Sequence, residues 1–162
     1  MTWWRRSTPL FVALSLSYLT AGLGAALTEL GPWYYALQQP SWKPPDAAFG
    51  IIWTTIFTMT AFSASAAWRA ASSRTELQQV WGLFGLNALL NIVWSGLYFK
   101  LQRPDWALAE WVLLWLSVLT LVLGFWRRSR RTSYLNLPYL LWVTVAGGLN
   151  LATVRLNGPF TS

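Results

Sequence analysis

Long uncharged runs of apolar residues alternate with short polar segments along this chain of 162 residues. Five runs have roughly the 20 residues that an α-helix needs to cross a bilayer. Lipid cannot satisfy unpaired backbone groups, and the runs are too long and continuous for barrel strands, so each predicts a helix. The sequence therefore predicts an all-α membrane protein, a five-transmembrane-helix bundle forming a single domain over residues 1–162. The predicted spans cover about residues 10–30, 47–68, 77–99, 106–126 and 132–154.

The segment between the first two runs, residues 31–46, combines large rings with four prolines. Proline fixes φ and has no N–H, so this segment cannot be one continuous helix and should be stiff. Its amphipathic rings include Trp33, Tyr34 and Trp42. Two interpretations are open from these residue types: a lid over a cavity between the helices, or an aromatic belt at the membrane surface.

The composition supports a lipid environment. Hydrophobic residues make up 55% of the chain and charged residues only 10%, against about 25% charged residues in an average soluble domain. The net charge of +7 is carried by basic residues at the ends of the apolar runs. There they orient a membrane protein and contact anionic lipid, so the charge does not indicate nucleic-acid binding.

The distribution of lysine and arginine predicts an orientation. Eight basic residues lie on the side of the N-terminus and the second and fourth loops, and four lie on the other side. The first set is Arg5, Arg6, Arg69, Arg74, Arg127, Arg128, Arg130 and Arg131, and the second is Lys43, Lys100, Arg103 and Arg155. The bias favours a bacterial inner membrane with a cytoplasmic N-terminus.

The side chains available exclude several kinds of chemistry. With no Cys and no His, the chain has no disulfide, thiolate nucleophile or His-ligated metal, and no metal site is expected. The five acidic residues lie at or near span ends and are not paired by spacing, which disfavours hydrolysis. Glu110 lies within a span, and so is a functional candidate by default. The alternative, favoured by its place near the start of the span, is a partner for the helix dipole.

Three spans carry large rings on one face, and two of these faces also carry amides. The third span repeats them at intervals of three and four residues, as one face of a helix requires. The residues are Asn87, Asn91, Trp94 and Tyr98 in the third span, Tyr139, Trp142, Ala146 and Asn150 in the fifth, and Trp53, Phe57 and Thr60 in the second. Such faces can line a flat pocket, in which rings stack on a guest and amides orient it. They can equally hold helices together, since buried amides need partners.

The first-loop motif Trp33-Tyr34-x-x-Leu37-x-x-Pro40-x-Trp42-x-Pro44-Pro45 resembles the signature of the translocator protein family, which includes the bacterial tryptophan-rich sensory proteins. The resemblance covers all five spans in order. It continues with Gly50-x-x-Trp53, Asn87-x-x-x-Asn91-x-x-Trp94, Pro138-Tyr139-Leu140-x-Trp142 and Leu149-Asn150.

The resemblance implies a five-helix bundle, usually dimeric, whose loop-covered cavity binds porphyrins. By motif it implies that Trp53, Trp94 and Trp142 are ring neighbours in the cavity, with Trp33 and Trp42 in the lid. Where the family often has Lys before the first loop proline, this chain has Gln39, which removes one cation for a propionate. Lys43 or a loop arginine is the expected partner for the guest's carboxylates.

From the resemblance we expect an integral membrane tetrapyrrole-binding protein that acts in porphyrin homeostasis or stress sensing. The porphyrin would be a ligand rather than a cofactor, and a homodimer in contact with membrane lipid is expected. Two alternatives stay open: light-dependent degradation of the porphyrin, in which Trp53 would take part, and transport. The expected ligand-binding residues are Trp33, Tyr34, Trp42, Trp53, Phe57, Asn87, Asn91, Trp94, Tyr98, Trp142, Ala146 and Asn150.

Overall fold

Five long helices and one short one account for most of the fold. The structure, a computed structural model, describes residues 3–160, with side chains from Thr8 onward, so Arg5 and Arg6 lie outside the described side chains. The helices are α1 (Trp3–Leu27), α2 (Pro32–Ala36), α3 (Asp46–Ala70), α4 (Arg74–Ser95), α5 (Pro104–Gly124) and α6 (Arg130–Asn157), with a π-helical extension of α4 at Gly96–Lys100. Within this part of the chain no strand occurs, and all helices except α2 are long and apolar enough to span a membrane. The predicted all-α, five-span architecture is confirmed.

Local capping sets where the helices begin. The Ser73 hydroxyl accepts a hydrogen bond from the backbone N–H of Glu76 at 3.2 Å, and the Glu76 carboxylate accepts one from the Ser72 N–H at 2.7 Å. Proline occupies the first position of α5, where its missing N–H costs nothing, and Ser129 caps α6. Polar residues therefore continue the helices beyond the apolar runs from which they were predicted.

The spans form a closed ring rather than a sequential row. Helix α1 packs against α3 and α4, α3 also packs against α6, and α5 completes the ring between α6 and α4. One core cluster, Ile56, Leu114, Val118, Tyr139 and Val143, joins α3, α5 and α6. A second cluster, Ala67, Val80, Leu121 and Phe125, closes the end of the bundle that carries the α3–α4 and α5–α6 turns. We call this end the arginine face, and the opposite end, which carries residues 28–45, the first-loop face.

Buried hydroxyls and an amide connect α3 to α6 near the arginine face. Ser63 donates to the carbonyl oxygen of Thr132 at 3.0 Å and accepts from the Asn136 amide at 2.7 Å. All three side chains are fully buried. Small side chains let the two backbones approach closely enough for these bonds, as is common between membrane helices.

The first loop is fastened at two points. The side chain of Asn157, at the end of α6, accepts from the Gln38 backbone N–H at 2.7 Å and donates to the Gln38 carbonyl at 2.9 Å. Further along, Lys43 and the Tyr34 hydroxyl both donate to Asp46, at 2.5 and 3.1 Å. Burial alone would lower the pKa of Lys43, but its hydrogen bonds to Asp46 and Tyr34 outweigh burial and raise that pKa. The loop is therefore a fixed cover.

Candidate ligand-binding site

Aromatic rings fill the part of the bundle that lies beneath the first loop. Trp53 stacks on Phe57 with 5.6 Å between ring centroids, and meets Tyr139 edge-on at 6.1 Å. Phe57 is one turn further along α3, so the helix itself aligns the two rings. These contacts link the α3 face, which the sequence predicted, to the interior face of α6.

A second aromatic group joins the end of α4 to the loop. Trp94 and Tyr98 stack at 5.1 Å, and Trp33 meets Tyr98 edge-on at 6.3 Å. Tyr34, which is buried, lies 5.8 Å from the ring of Phe99. The loop residues thus cover the end of α4 through ring-to-ring contacts rather than through charged groups.

A third contact region lies where α3, α6 and the loop meet. Trp142 meets Phe49 edge-on at 5.6 Å, and Phe49 in turn lies under the ammonium group of Lys43 at 5.7 Å. The indole of Trp42, about half exposed, comes to 3.5 Å from the position that a Cβ on Gly148 would take. Phe49 was not among the predicted site residues, because nothing in its spacing separates it from lipid-facing phenylalanines.

The three tryptophans named from the motifs lie around one cluster. Trp53, Trp94 and Trp142 are each partly buried and pack against the core formed by Ile56, Leu114, Val118, Tyr139 and Val143. Each reaches its own aromatic neighbour, and they approach the cluster from three different helices. They therefore pack against the same core cluster, which joins α3, α5 and α6.

The predicted amides bond mainly to neighbouring helices. Asn91 donates to the Tyr139 hydroxyl at 3.1 Å, and Asn87 donates to the Ser117 hydroxyl at 2.8 Å. These bonds cross from α4 to α6 and from α4 to α5, respectively. Buried amides in membrane helices need hydrogen-bond partners, and these bonds also hold the helices together. Asn87 also borders a cavity, which is described below.

Asn150 is occupied by the start of α5. With its amide atoms assigned by their hydrogen-bond partners, it donates to the Pro104 carbonyl at 2.9 Å and accepts from the Leu108 N–H at 3.1 Å. Only 1% of the residue is exposed. Ala146 lies half-buried one turn earlier on α6. The structure thus places Asn150 as a bridge between α6 and α5.

Gly147 makes room for a tryptophan that the sequence reading missed. A Cβ at Gly147 would lie 2.1 Å from the Cε2 atom of Trp111, far inside van der Waals contact. The Trp111 indole N–H donates to the Val143 carbonyl at 2.7 Å. The only advance signal was the Gly147-Gly148 pair, which indicates a close approach without naming the neighbour.

A cavity of about 330 Å³ opens between α1, α3 and α4. This volume is at the small end of ligand pockets, and its walls are mostly apolar. Two predicted site residues, Phe57 and Asn87, form its end nearest the aromatic rings, and Trp68 and Trp81 lie among its walls toward the arginine face. The remaining lining residues are Ala13, Leu16, Ser17, Leu19, Thr20, Leu23, Thr60, Ala64, Val80, Phe84, Gly85, Ala88, Leu89 and Ile92.

Helix α1 supplies one wall of this cavity, although no residue of α1 was predicted to contact a ligand. The small polar residues Ser17 and Thr20 share a face of α1, and Thr20 returns its hydroxyl to the Leu16 carbonyl at 2.9 Å. The spacing of Ser17 and Thr20 was the signal available in the sequence. It was weak because hydroxyls inside membrane helices commonly bond back to their own backbone.

Glu110 is buried in the second turn of α5 rather than in the first. The helix begins at Pro104, so the carboxyl group lies beyond the free N–H groups that would make it a dipole partner. The residue is 9% exposed, and neither carboxyl oxygen meets a hydrogen-bond donor in the described part of the chain. Among those same residues, no group of acidic side chains is arranged to hold a metal ion.

Fold and site together define a class: helical membrane proteins with a ligand-sized cavity next to a group of aromatic rings that a fastened loop covers. The model of the TspO/MBR family matches residues 11–156, and the chain belongs to this family. It is 32% identical over 151 residues to protein CrtK of Rhodobacter capsulatus, covering 93% of this chain and 94% of that one. It is also 36% identical over 126 residues to the tryptophan-rich protein TspO of Chlorobaculum tepidum (77% and 80%) and 29% identical over 126 residues to the human translocator protein (77% and 75%). The family resemblance predicted from the motifs is confirmed.

Proposed function

We propose that the protein binds a tetrapyrrole, with the macrocycle seated in the cavity between α1, α3 and α4, and that it acts in porphyrin homeostasis or stress sensing. The observation that carries the proposal is the end of the cavity formed by Phe57 and Asn87, next to the Trp53 ring. A flat apolar guest gains by burying its faces against such walls, and an amide at the edge orients it. The relative in Cereibacter sphaeroides is named a tryptophan-rich sensory protein, which is consistent with a ligand-sensing role.

The five apolar helices and the family make this an integral membrane protein. The finer placement, a bacterial inner membrane with the arginine face in the cytoplasm, is part of the proposal. It rests on the excess of arginine at the α3–α4 and α5–α6 turns.

The proposal is tested by filling the cavity. Ala64→Phe places a ring inside the cavity, whereas Ala109→Phe places the same ring on an exposed position of α5, outside the cavity. Titration of purified protein with protoporphyrin IX should quench tryptophan fluorescence saturably in the wild type and in Ala109→Phe. Ala64→Phe should weaken binding by about tenfold or more, equivalent to about 1.4 kcal/mol or more.

The ring assignment is tested separately with Trp53→Phe, because the Trp53 ring stacks on the cavity-lining residue Phe57. This variant should bind protoporphyrin more weakly, because a smaller ring offers less stacking area. Unchanged affinity would contradict the placement of the guest beside Trp53. Absence of saturable quenching in the wild type would contradict tetrapyrrole binding itself.

A further inference from the structure

The cavity extends toward the arginine face, away from the first loop. Trp68 and Trp81, both among its lining residues, meet edge-on with 5.0 Å between ring centroids. Trp81 is 42% exposed, so this part of the cavity is not sealed. Arg69 directly follows the lining residue Trp68 on α3. Arg74 is the first residue of α4, and the lining residue Val80 lies about 9 Å further along the axis of that helix. Two arginines thus belong to the helix turns at this end of the cavity, although neither is among its lining residues.

Cations on the first-loop face are largely neutralised. Lys43 pairs with Asp46, Lys100 with Glu29 and Arg103 with Asp105, each at 2.5 Å. Arg155 is the fourth basic residue of that face and stands at the end of α6, away from the cavity lining. Lys43, the expected partner for a guest's carboxylates, is therefore already engaged by Asp46, which also accepts a hydrogen bond from Tyr34.

The arginine face has the opposite balance. The structure describes six arginines in the two turns of this face and a single carboxylate, that of Glu76. Arg128 forms an ion pair with this carboxylate at 3.4 Å. Arg69 donates only to the neutral hydroxyl of Ser65, at 2.7 Å. Across the described residues, Arg74 makes no ion pair and no side-chain hydrogen bond. Both arginines at this end of the cavity are thus available to an anion.

From this asymmetry we infer that Arg69 and Arg74 bind the carboxylates of an anionic tetrapyrrole whose ring occupies the cavity. The inference rests on the proposed function and adds an orientation: propionates toward the arginine face, ring edge toward Phe57 and Asn87. Guanidinium groups suit this task because they bind carboxylates through two parallel hydrogen bonds. Recognition of the charged groups is thereby separated from the loop, which covers the opposite end.

The test compares two ligands that differ only in charge. Protoporphyrin IX and its dimethyl ester share one ring, but the ester has no carboxylate. Each is titrated against wild type, Arg69→Gln/Arg74→Gln and the control Arg130→Gln/Arg131→Gln, all in zwitterionic lipid so that no anionic headgroup competes. The control removes the same charge from the same face at α6, which contributes nothing to the cavity lining.

The Arg69→Gln/Arg74→Gln variant should lose at least tenfold in affinity for the diacid and stay within about twofold of wild type for the ester. The control variant should match wild type for both ligands. An equal loss for diacid and ester, equal losses in both variants, or unchanged diacid binding would overturn the inference. If neither ligand binds the wild type, it is the proposed function that fails.

Discussion

At the scale of single residues, the bundle depends on a few close approaches between a large ring and a glycine. The indole of Trp111 lies against Gly147, and its N–H is bonded to the Val143 carbonyl. Trp42 approaches Gly148 less closely, with 3.5 Å to the position of a Cβ. Two adjacent glycines thus make room for different elements: Gly147 for a tryptophan of α5, and Gly148 for a tryptophan of the first loop.

We expect Gly147→Ala to destabilise the protein by about 1–3 kcal/mol, the usual cost of inserting atoms into a filled space. The nearest atoms belong to the indole ring of Trp111, which its hydrogen bond holds in place. Unfolding of the purified protein in detergent measures the loss. Gly148→Ala is the matched control and should be within about 0.5 kcal/mol of wild type. Equal stability of the two variants would contradict the packing described for Trp111.

Residue spacing could predict faces but not their partners. Asn150 and Trp142 were correctly placed on the inner side of α6 by periodicity, since both are at least partly buried there. That Asn150 bonds to the start of α5 depends on which helix lies opposite, and a single helix does not encode its neighbour. For the same reason Trp111 and the α1 wall of the cavity were missed.

At the scale of elements, the first loop is held by the last helix. Asn157 bonds to both backbone groups of Gln38, much as a neighbouring strand would. The same side chain also donates to the Thr153 carbonyl at 2.8 Å, which fixes its rotamer. Because the contacts to Gln38 involve backbone atoms only, the Gln38 side chain is not part of the fastening.

Asn157→Ala should therefore loosen the loop, while Gln38→Ala should leave it closed. Hydrogen exchange of the Gln38 amide, followed by mass spectrometry, is expected to accelerate at least tenfold in Asn157→Ala, because local opening exposes that N–H. Exchange in Gln38→Ala should match wild type. Identical exchange in all three proteins would show that other loop contacts, such as those of Lys43 and Asp46, suffice to hold the cover.

At the scale of the whole molecule, hydropathy alone predicted the architecture. The five apolar runs could be converted into helices because lipid leaves the backbone few other options. The helices begin earlier than predicted, since capping by Ser73 and Ser129 depends on polar residues that an apolar run does not include. The ring order of the helices was not predicted, because run length and hydropathy carry no information about neighbours.

The absence of cysteine from the sequence makes the proposed orientation directly measurable. Ser41→Cys places one thiol on the first loop, and Ser72→Cys places one in the α3–α4 turn, both at exposed positions. A membrane-impermeant maleimide should label Ser41→Cys in intact cells. It should label Ser72→Cys only after the cells are permeabilised. The reverse pattern would place the arginine face outside and contradict the cytoplasmic assignment.

The bond between Asn157 and Gln38 also imposes an order on biogenesis. Residue 38 leaves the ribosome long before residue 157, so for most of synthesis the loop has nothing at that position to bind. The cover over the aromatic rings can reach its final state only when the fifth span has been inserted. A nascent chain caught with four spans in the membrane would therefore still be open, with its indoles unshielded.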